Sequence, residues 1–355
     1  MNAAVNNDLA RGRWGMGDGI IVSDCGAVGD AMSTRYIKAR FGGTPEAQAA
    51  QAVKGGCDYN CGPFYAAHLH GALAKGELDP SDDIDKSAFR LLKAMFRLGL
   101  FDRVETVPYA SYGRDQLDTE ASRQIALDGA TQSIVLLQNN NSGSGGGGGG
   151  GSKRKRPLLP LAAATRVALI GPHFNASDDM LSNYKGSNNV VYAHTPLLAI
   201  SKRGNVVAAA KGCGLWNSDE SGFAAASAAA KKADVAVVFL GLHPQWFDNP
   251  GDGDAAEGED NDRQNITLPA VQLKLLQAVH RTGTQVVVVM INGGQVAIPW
   301  AKANVPAIVE VRTLRTVRTV CGTCATRLVV GRRGPTRLMH AACRMPHAAW
   351  RMSSP

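Results

Sequence analysis

The sequence predicts an α/β protein with a mostly parallel sheet, and two observations carry that expectation. From Arg166 onward, short runs of branched apolar residues alternate with helix-length segments, a pattern that builds a parallel sheet covered by helices. Nearer the start, Ile20-Ile21-Val22 sets three β-branched residues in a row ahead of Ser23-Asp24-Cys25, as expected of a strand buried on both faces. At 355 residues there is room for two domains, and 45% hydrophobic content is ordinary for a globular chain.

Taken in order, Ile20–Val22 is followed by a turn-rich stretch containing Gly26, Gly29 and Asp30. A lone carboxylate such as Asp24 after an apolar run has an ordinary reading as a helix cap or turn former. In a parallel α/β barrel, the C-terminal end of a strand is instead where catalytic groups stand. Residues 119–137 set Ala121, Ile125, Ala126, Ala130 and Ile134 through Leu137 at helical spacing. Next comes a Gly-rich and basic stretch, 138–157, containing the seven-glycine run Gly145–Gly151. Such a run cannot offset its own ordering entropy, so the stretch is expected to be a disordered insert. It is no phosphate loop, because it lacks a preceding strand and the GxxxxGK[ST] order. Lys153–Arg156 reads as its solvated basic end, with a nuclear-localisation signal as the alternative. Strands are then expected at Val167–Gly171, Val206–Ala208, Val235–Gly241 and Gln285–Ile291, with helices at Ala224–Lys232 and Leu268–Thr282. The alternation over 158–311 implies an α/β/α sandwich.

The formal net charge of +8 suggests a nucleic-acid partner until its distribution is considered. Nine arginines, with no lysine and no acidic residue, lie between Arg312 and Pro355, so removing them leaves residues 1–311 at −1. Lys153–Arg156 holds four more positive charges, and the parts expected to fold are therefore net acidic. The basic character belongs to two short segments, and no nucleic-acid partner is expected. Of the seven cysteines, Cys57 and Cys61 are close enough for a local disulfide in an exported protein, and the odd count leaves at least one free. Cys321 and Cys324 have CxxC spacing without a second pair or a His pair, so no metal site is expected. No apolar run reaches the length of a membrane span, so no membrane partner is expected. No signal peptide is visible at Met1, and the start reads as truncated. Asn175-Ala-Ser177 and Asn265-Ile-Thr267 are glycosylation sequons, which suit a secreted protein.

Several motifs in order between Trp14 and Asp102 resemble one family. Arg11-Gly12-Arg13-Trp14-Gly15 leads into Ile20–Val22 and then Ser23-Asp24-Cys25. Ala52–Gly62 looks like a following barrel strand and loop, and Ile84–Ala88 with Arg90–Asp102 like closing helices. Val135-Leu136-Leu137-Gln138-Asn139, Asn265–Gln272 and Asn292-Gly-Gly-Gln-Val296 continue the likeness in the second half. Together they resemble glycoside hydrolase family 3, in its β-xylosidase-like branch.

The resemblance implies the C-terminal part of a (β/α)8 barrel over residues 1–118, a connecting helix and strand over 119–137, and the sandwich domain after the insert. It implies a retaining two-carboxylate mechanism with Asp24 as nucleophile, and Ser23, Cys25 and Arg263 as substrate-binding residues. The two carboxyl groups of a retaining enzyme stand about 5–5.5 Å apart. The acid/base is expected in the acidic loop His243–Asn265, whose ordinary reading is a solvated surface loop. There Glu257-Gly258-Glu259-Asp260-Asn261-Asp262-Arg263 resembles the family's pattern ahead of Leu-Pro. Counting back from Asp262-Arg263 favours Glu259, while the Glu-Gly pair makes Glu257 the alternative. No metal or cofactor is implied. The substrate class is β-linked xylosides or arabinosides of plant-type polysaccharide, with Cys25 tilting toward xylosides over glucosides. A truncated inactive homologue or carbohydrate-binding remnant is the first alternative, and a β-glucosidase the second. The compartment implied is extracellular, vacuolar or cell wall.

A complete barrel takes about 250 residues, whereas only about a hundred precede the second domain, and the family's Lys-His pair and upstream Asp and Arg have no counterpart. The Arg/Thr/Cys/Met-rich segment Arg312–Pro355 has the composition of translation in a wrong frame or across an unspliced boundary, with a genuine basic tail as the alternative.

Overall fold

In the computed structural model, the described residues are 2–32, 43–140, 157–176, 195–244, 256–257 and 263–312. The Gly145–Gly151 run, Lys153–Arg156, Glu259 and the segment 313–355 lie outside them. The chain divides into two compact units, Met1–Gln116 and Leu117–Pro355. No helix among the described residues is long and apolar enough to cross a membrane.

The first unit is helical. A π-helical segment, Ala4–Arg13, precedes α1 (Ala27–Asp30), α2 (Pro45–Lys54) and α3 (Phe64–Ala74). A second π-helical segment, Pro80–Asp85, leads into α4 (Lys86–Arg97). Helix α2 shows why it starts where it does. Thr44 caps it by accepting from the Ala47 amide, Pro45 occupies the first turn, and Glu46 and Lys54 complement the helix dipole at opposite ends. Its small residues Ala49, Ala50 and Ala52 allow close packing with Tyr65 and Ala72 of α3, and Val28, Val53, Cys57 and Leu78 complete the core.

The strand expected at Ile20–Val22 does not form. Val22 makes one isolated parallel bridge to Tyr59 and is 49% exposed. A β-branched run becomes a doubly buried strand only when a ladder flanks both of its edges; among the described residues, this run is hydrogen-bonded along the 57–61 side alone. The stretch 52–62 departs from its barrel-strand reading in the same way: α2 continues through Lys54, and a loop follows. No strand of two or more residues forms among the described residues of this unit.

The second unit is built on a six-stranded mixed sheet. Helix α5 (Glu120–Ser133), capped by Thr119, leads into β1 (Val135–Asn139). Then follow β2 (Val167–Ile170), α6 (Pro196–Ser201), β3 (Val206–Ala210), α7 (Phe223–Lys231) and β4 (Val235–Gly241). A short pair, β5 (His243–Pro244) and β6 (Ala256–Glu257), precedes α8 (Ala270–His280), β7 (Gln285–Asn292), α9 (Pro299–Asn304) and β8 (Ala307–Arg312). The strand order is β1-β8-β7-β4-β2-β3, with β1 antiparallel to β8 and every other pairing parallel.

Side-chain alternation sorts the strands into two faces. Val167, Leu169, Val237, Phe239, Val289 and Ile291 pack with Ala130 and Ile134 beside β1 and with Ile200 of α6. Ala168, Ile170, Val238, Leu240, Val288 and Met290 pack with Ala226 and Ala230 of α7 and with Val271, Leu275 and Val279 of α8. Helix α8 is shorter than the expected Leu268–Thr282, because Pro269 stands at its N-cap and Arg281 caps its C-terminal end. Strand β1 runs to Asn139, so Gln138 and Asn139 belong to the sheet rather than to an insert. The Asn139 side chain also clasps Leu159, donating to its carbonyl at 2.9 Å and accepting from its amide at 3.0 Å. The two ends of the segment between them are thereby held together.

Candidate active site

In the first unit, the loop Cys57–Cys61 places Asp24. The amides of Asp58 and Tyr59 donate to the Ile21 carbonyl, that of Ser23 to Tyr59, and that of Gly26 to Cys61. The Ser23 hydroxyl accepts from the Cys61 amide at 3.0 Å and from Asn60 Nδ2 at 3.1 Å. Beneath this lattice lies Asp58, whose side chain is wholly buried. Its carboxylate accepts from the Ile21 amide at 2.8 Å and from Arg90 Nη1 at 2.9 Å, and pairs with Arg11. Two guanidinium groups and an amide satisfy the oxygens of this buried carboxylate.

Asp24 itself is exposed. Its Oδ1 accepts from the Cys25 amide at 2.8 Å, and its carbonyl accepts from Ala27 at the head of α1. The turn-former reading therefore describes its backbone. The carboxylate at the end of the braced segment remains open to solvent.

The cysteine pairing differs from the local one expected. Cys25 and Cys61 form the disulfide, while Cys57 is a buried thiol. Cys57 points back into the helical core, where its Sγ donates to the Tyr59 carbonyl and the Tyr65 hydroxyl donates to the Cys57 carbonyl. Burial pushes the Cys57 thiol above its ordinary range. Separation in sequence was a poor guide to partner because the 57–61 loop presents Cys61, not Cys57, beside residues 23–26. Cys25, read as substrate-binding, thus uses its sulfur to tie the Asp24 loop down.

In the second unit, β4 ends at Gly241, where φ is +145° and an added Cβ would lie 1.9 Å from the Ile291 carbonyl oxygen. Only glycine fits that approach. The β5–β6 pair then brings Glu257 to the turn after β7, where its two oxygens accept from the Gly293 and Gly294 amides at 2.5 and 2.6 Å. Asn292 supports the same turn, donating to the Gly294 carbonyl and to Glu310, both at 2.9 Å. Arg263 donates to the carbonyls of Gln295, Asn265 and Thr267. It braces the returning end of the acidic loop.

Several positioning residues escaped sequence reasoning. Asp58 lies within Ala52–Gly62, where nothing in the sequence marks it as buried, and Arg11 and Arg90 reach it from distant segments. Gln272 is a fully buried amide within the apolar stripe of α8, and that misplaced polarity was its signal. It accepts from the Gly241 amide and donates to the Gly241 and Leu215 carbonyls. Among the described residues, no group of three or more His, Cys, Asp or Glu side chains is arranged to hold a metal ion.

A mostly parallel sheet covered by helices on both faces places this chain among the α/β proteins. Residues 134–335 match the glycosyl hydrolase family 3 C-terminal domain, and the chain belongs to that family. The match begins beside β1 and continues past the end of β8, into the segment whose composition is irregular.

The chain is 35% identical over 276 residues to an Aspergillus clavatus protein named "Probable exo-1,4-beta-xylosidase bxlB", covering 78% of this chain and 32% of the relative. It is 32% identical over 327 residues to beta-D-xylosidase 1 of Arabidopsis thaliana, covering 92% of this chain and 38% of the relative. A solved family 3 exo-β-xylosidase, XlnD, in complex with a xylobiose aziridine activity-based probe, superposes with a TM-score of 0.73 at 28% identity, over 92% of this chain and 38% of that one. The chain thus spans about a third of the length of the curated relatives it matches.

Proposed function

We propose that the chain serves retaining hydrolysis of β-linked glycosides, with xylosides or arabinosides of plant-type polysaccharide as substrates. The observation that carries this reading is the exposed Asp24 carboxylate on a segment braced by Asp58 and by the Cys25–Cys61 disulfide. The family membership and the names of the relatives agree with it.

In this mechanism Asp24 attacks the anomeric carbon and forms a glycosyl ester, while a protonated glutamate gives its proton to the departing oxygen. The resulting glutamate then takes a proton from water, which attacks the same carbon and releases Asp24. We assign the acid/base to Glu259. Both oxygens of Glu257 accept backbone amides, which suits it to anchoring the loop. That leaves Glu259, two residues on, as the candidate for the proton donor. Ser23, Cys25 and Arg263 serve binding through the loops they fix.

The first unit is read as the C-terminal part of a (β/α)8 barrel and the second as an α/β/α sandwich. The substrate is the carbohydrate, with neither nucleic acid nor membrane as partner. The disulfide fits an extracellular, vacuolar or cell-wall setting.

Turnover of an aryl β-xyloside, compared with the aryl β-glucoside and α-arabinofuranoside, tests the reading. The expected result is xyloside hydrolysis that is lost in Asp24→Asn. A second reading is a carbohydrate-binding remnant without turnover. Binding of xylo-oligosaccharide without hydrolysis by the unaltered chain would select it.

A further inference from the structure

A cavity of about 260 Å³ opens in the second unit at the amino ends of β7 and β8, and every residue lining it belongs to that unit. Gln285, the first residue of β7, is part of its wall, whereas Gly293 and Gly294 follow the other end of the same strand. The 8 residues of β7, at about 3.3 Å each, keep the cavity apart from the turn that holds Glu257. Nothing in the hydrolysis described above uses it.

The frame of the cavity is fixed by hydrogen bonds. Gln138 of β1 donates through Nε2 to the Lys302 and Val305 carbonyls, and the Asn140 amide donates to the Pro306 carbonyl at 2.7 Å. The Thr284 hydroxyl donates to the Ala230 carbonyl of α7, and the His280 ring meets Trp300 edge-on with centroids 5.4 Å apart. The carbonyl ends of α8 and α9 reach the same place, and open carbonyls there would repel an anion. These are occupied. The Arg281 and Thr282 amides donate to the Gln277 and Val279 carbonyls of α8, and Gln138 and Asn304 donate to carbonyls of α9.

Several side chains are left over. The Lys302 ammonium, the His280 imidazole and the Asn140 and Gln285 carboxamides make no hydrogen bond to another described residue. Among the described residues, no Asp or Glu lines the cavity. A lysine and a histidine in one lining without a carboxylate favour an anion. Each carboxamide offers both donors and an acceptor, which is what hydroxyl groups on a ligand require. Pockets for drug-sized ligands measure about 300–1,000 Å³. At about 260 Å³, this one is sized for a single ring.

We propose that the cavity binds a monosaccharide carboxylate, a hexuronate, with its carboxylate against Lys302 and its hydroxyls on Asn140 and Gln285. A neutral sugar would leave the ammonium without a counter-charge, and a bare phosphate would leave the two carboxamides unused. The frame is already hydrogen-bonded, so little of it has to be ordered by the ligand. The site is separate from the hydrolytic groups and stands or falls independently of the glycosidase reading.

The test titrates the full chain with glucuronate, followed by NMR, with glucose and inorganic phosphate as comparison ligands. Glucuronate should bind with a Kd of about 1 mM, and glucose and phosphate about tenfold more weakly. Lys302→Gln should weaken glucuronate about tenfold, and Gln285→Leu should weaken it as well. Lys302 is exposed, so its replacement should leave the thermal midpoint of the second unit in place. Lys302→Arg should keep the affinity, which separates charge from a packing defect. No glucuronate binding by the unaltered chain would overturn the site, as would equal affinity in Lys302→Gln. Glucose or phosphate binding as tightly as glucuronate would overturn the hexuronate as its ligand. Aryl xyloside turnover is read separately, so either proposal can fail while the other stands.

Discussion

At the residue scale, one contrast organises the candidate chemistry: a carboxylate that is open and one that is occupied. Asp24 ends a braced segment and faces solvent, whereas Glu257 spends both oxygens on the amides of Gly293 and Gly294. This separates two substitutions that look alike in sequence. Glu259→Gln removes the proposed proton donor, so hydrolysis of an alkyl xyloside should fall by about 10²–10⁴-fold, while an activated aryl xyloside with a good leaving group is affected less in its first step. Glu257→Gln keeps the shape but exchanges one acceptor for a donor facing an amide; both substrates should then suffer together, mainly through KM. Parallel losses on both substrates for Glu259→Gln, with a leaving-group-dependent loss for Glu257→Gln, would reverse the assignment. The thiols make a second residue-scale case. Burial raises the Cys57 thiol and pushes Cys213 up to about 12, so at neutral pH neither supplies thiolate or access. Iodoacetamide should leave both unmodified in the native chain and modify both in urea, as read by peptide mass. Native labelling of Cys57 would show that the 57–61 loop opens, and that Asp24 is less firmly held than its hydrogen bonds imply.

At the element scale, the pairing of α2 with α3 carries a pH dependence with a definite sign. Glu46, in the first turn of α2, is held down to about 2 from 4.5, first by its own backbone amide and then by Lys75 just beyond α3, with Thr44 adding to the effect. The Lys75–Glu46 contact is 3.1 Å. A carboxyl group with a depressed folded pKa stabilises the fold above its unfolded value, and that contribution is lost as pH falls through the folded value. The first unit should therefore lose more stability than Glu46→Gln does as pH drops from about 4.5 to about 2, with no such difference developing above pH 5. Urea midpoints of the two proteins at pH 6 and pH 2.5 measure it, and a gap unchanged between them would remove Glu46 from the account. Elements like these were unequally legible in the sequence. Strand β4 was readable to the residue because both faces of Val235–Gly241 are buried, and burial on two faces requires an unbroken apolar run. Ile20–Val22 has the same local composition and forms no strand, since β-propensity is realised only where neighbouring strands supply a ladder. Glu257 and Glu259 were legible as candidates, but the amides that hold Glu257, those of Gly293 and Gly294, lie more than thirty residues away. The disulfide partner and the Asp58–Arg11–Arg90 node were hidden for the same reason: both join segments whose proximity only the fold creates.

At the scale of the whole molecule, the two units differ in how much holds them. The second has a sheet lined on both faces, with separate cores that include Phe239, Ile291 and Ile200 on one side and Leu240, Leu275 and Met290 on the other. The first has a single small cluster dominated by alanines, and leaves large apolar side chains uncovered, Phe96 among them at 61% exposure. Burial scales with apolar area removed from water, so the first unit is the weaker body. Its compensation is the Cys25–Cys61 bond, which closes a separation of 36 residues and by chain entropy contributes about 4 kcal/mol. Heating should therefore give two transitions, with the first unit melting earlier. Reduction, or the double substitution Cys25→Ser with Cys61→Ser, should lower the first transition and leave the second in place. Because Asp24 sits beside the cross-link, aryl xyloside turnover should disappear with the first transition, not the second. Calorimetry with and without reductant, set against residual activity at each temperature, distinguishes the outcomes. A single transition, or activity surviving to the second, would mean that Asp24 does not depend on the first unit's own core, and the nucleophile would have to be sought elsewhere.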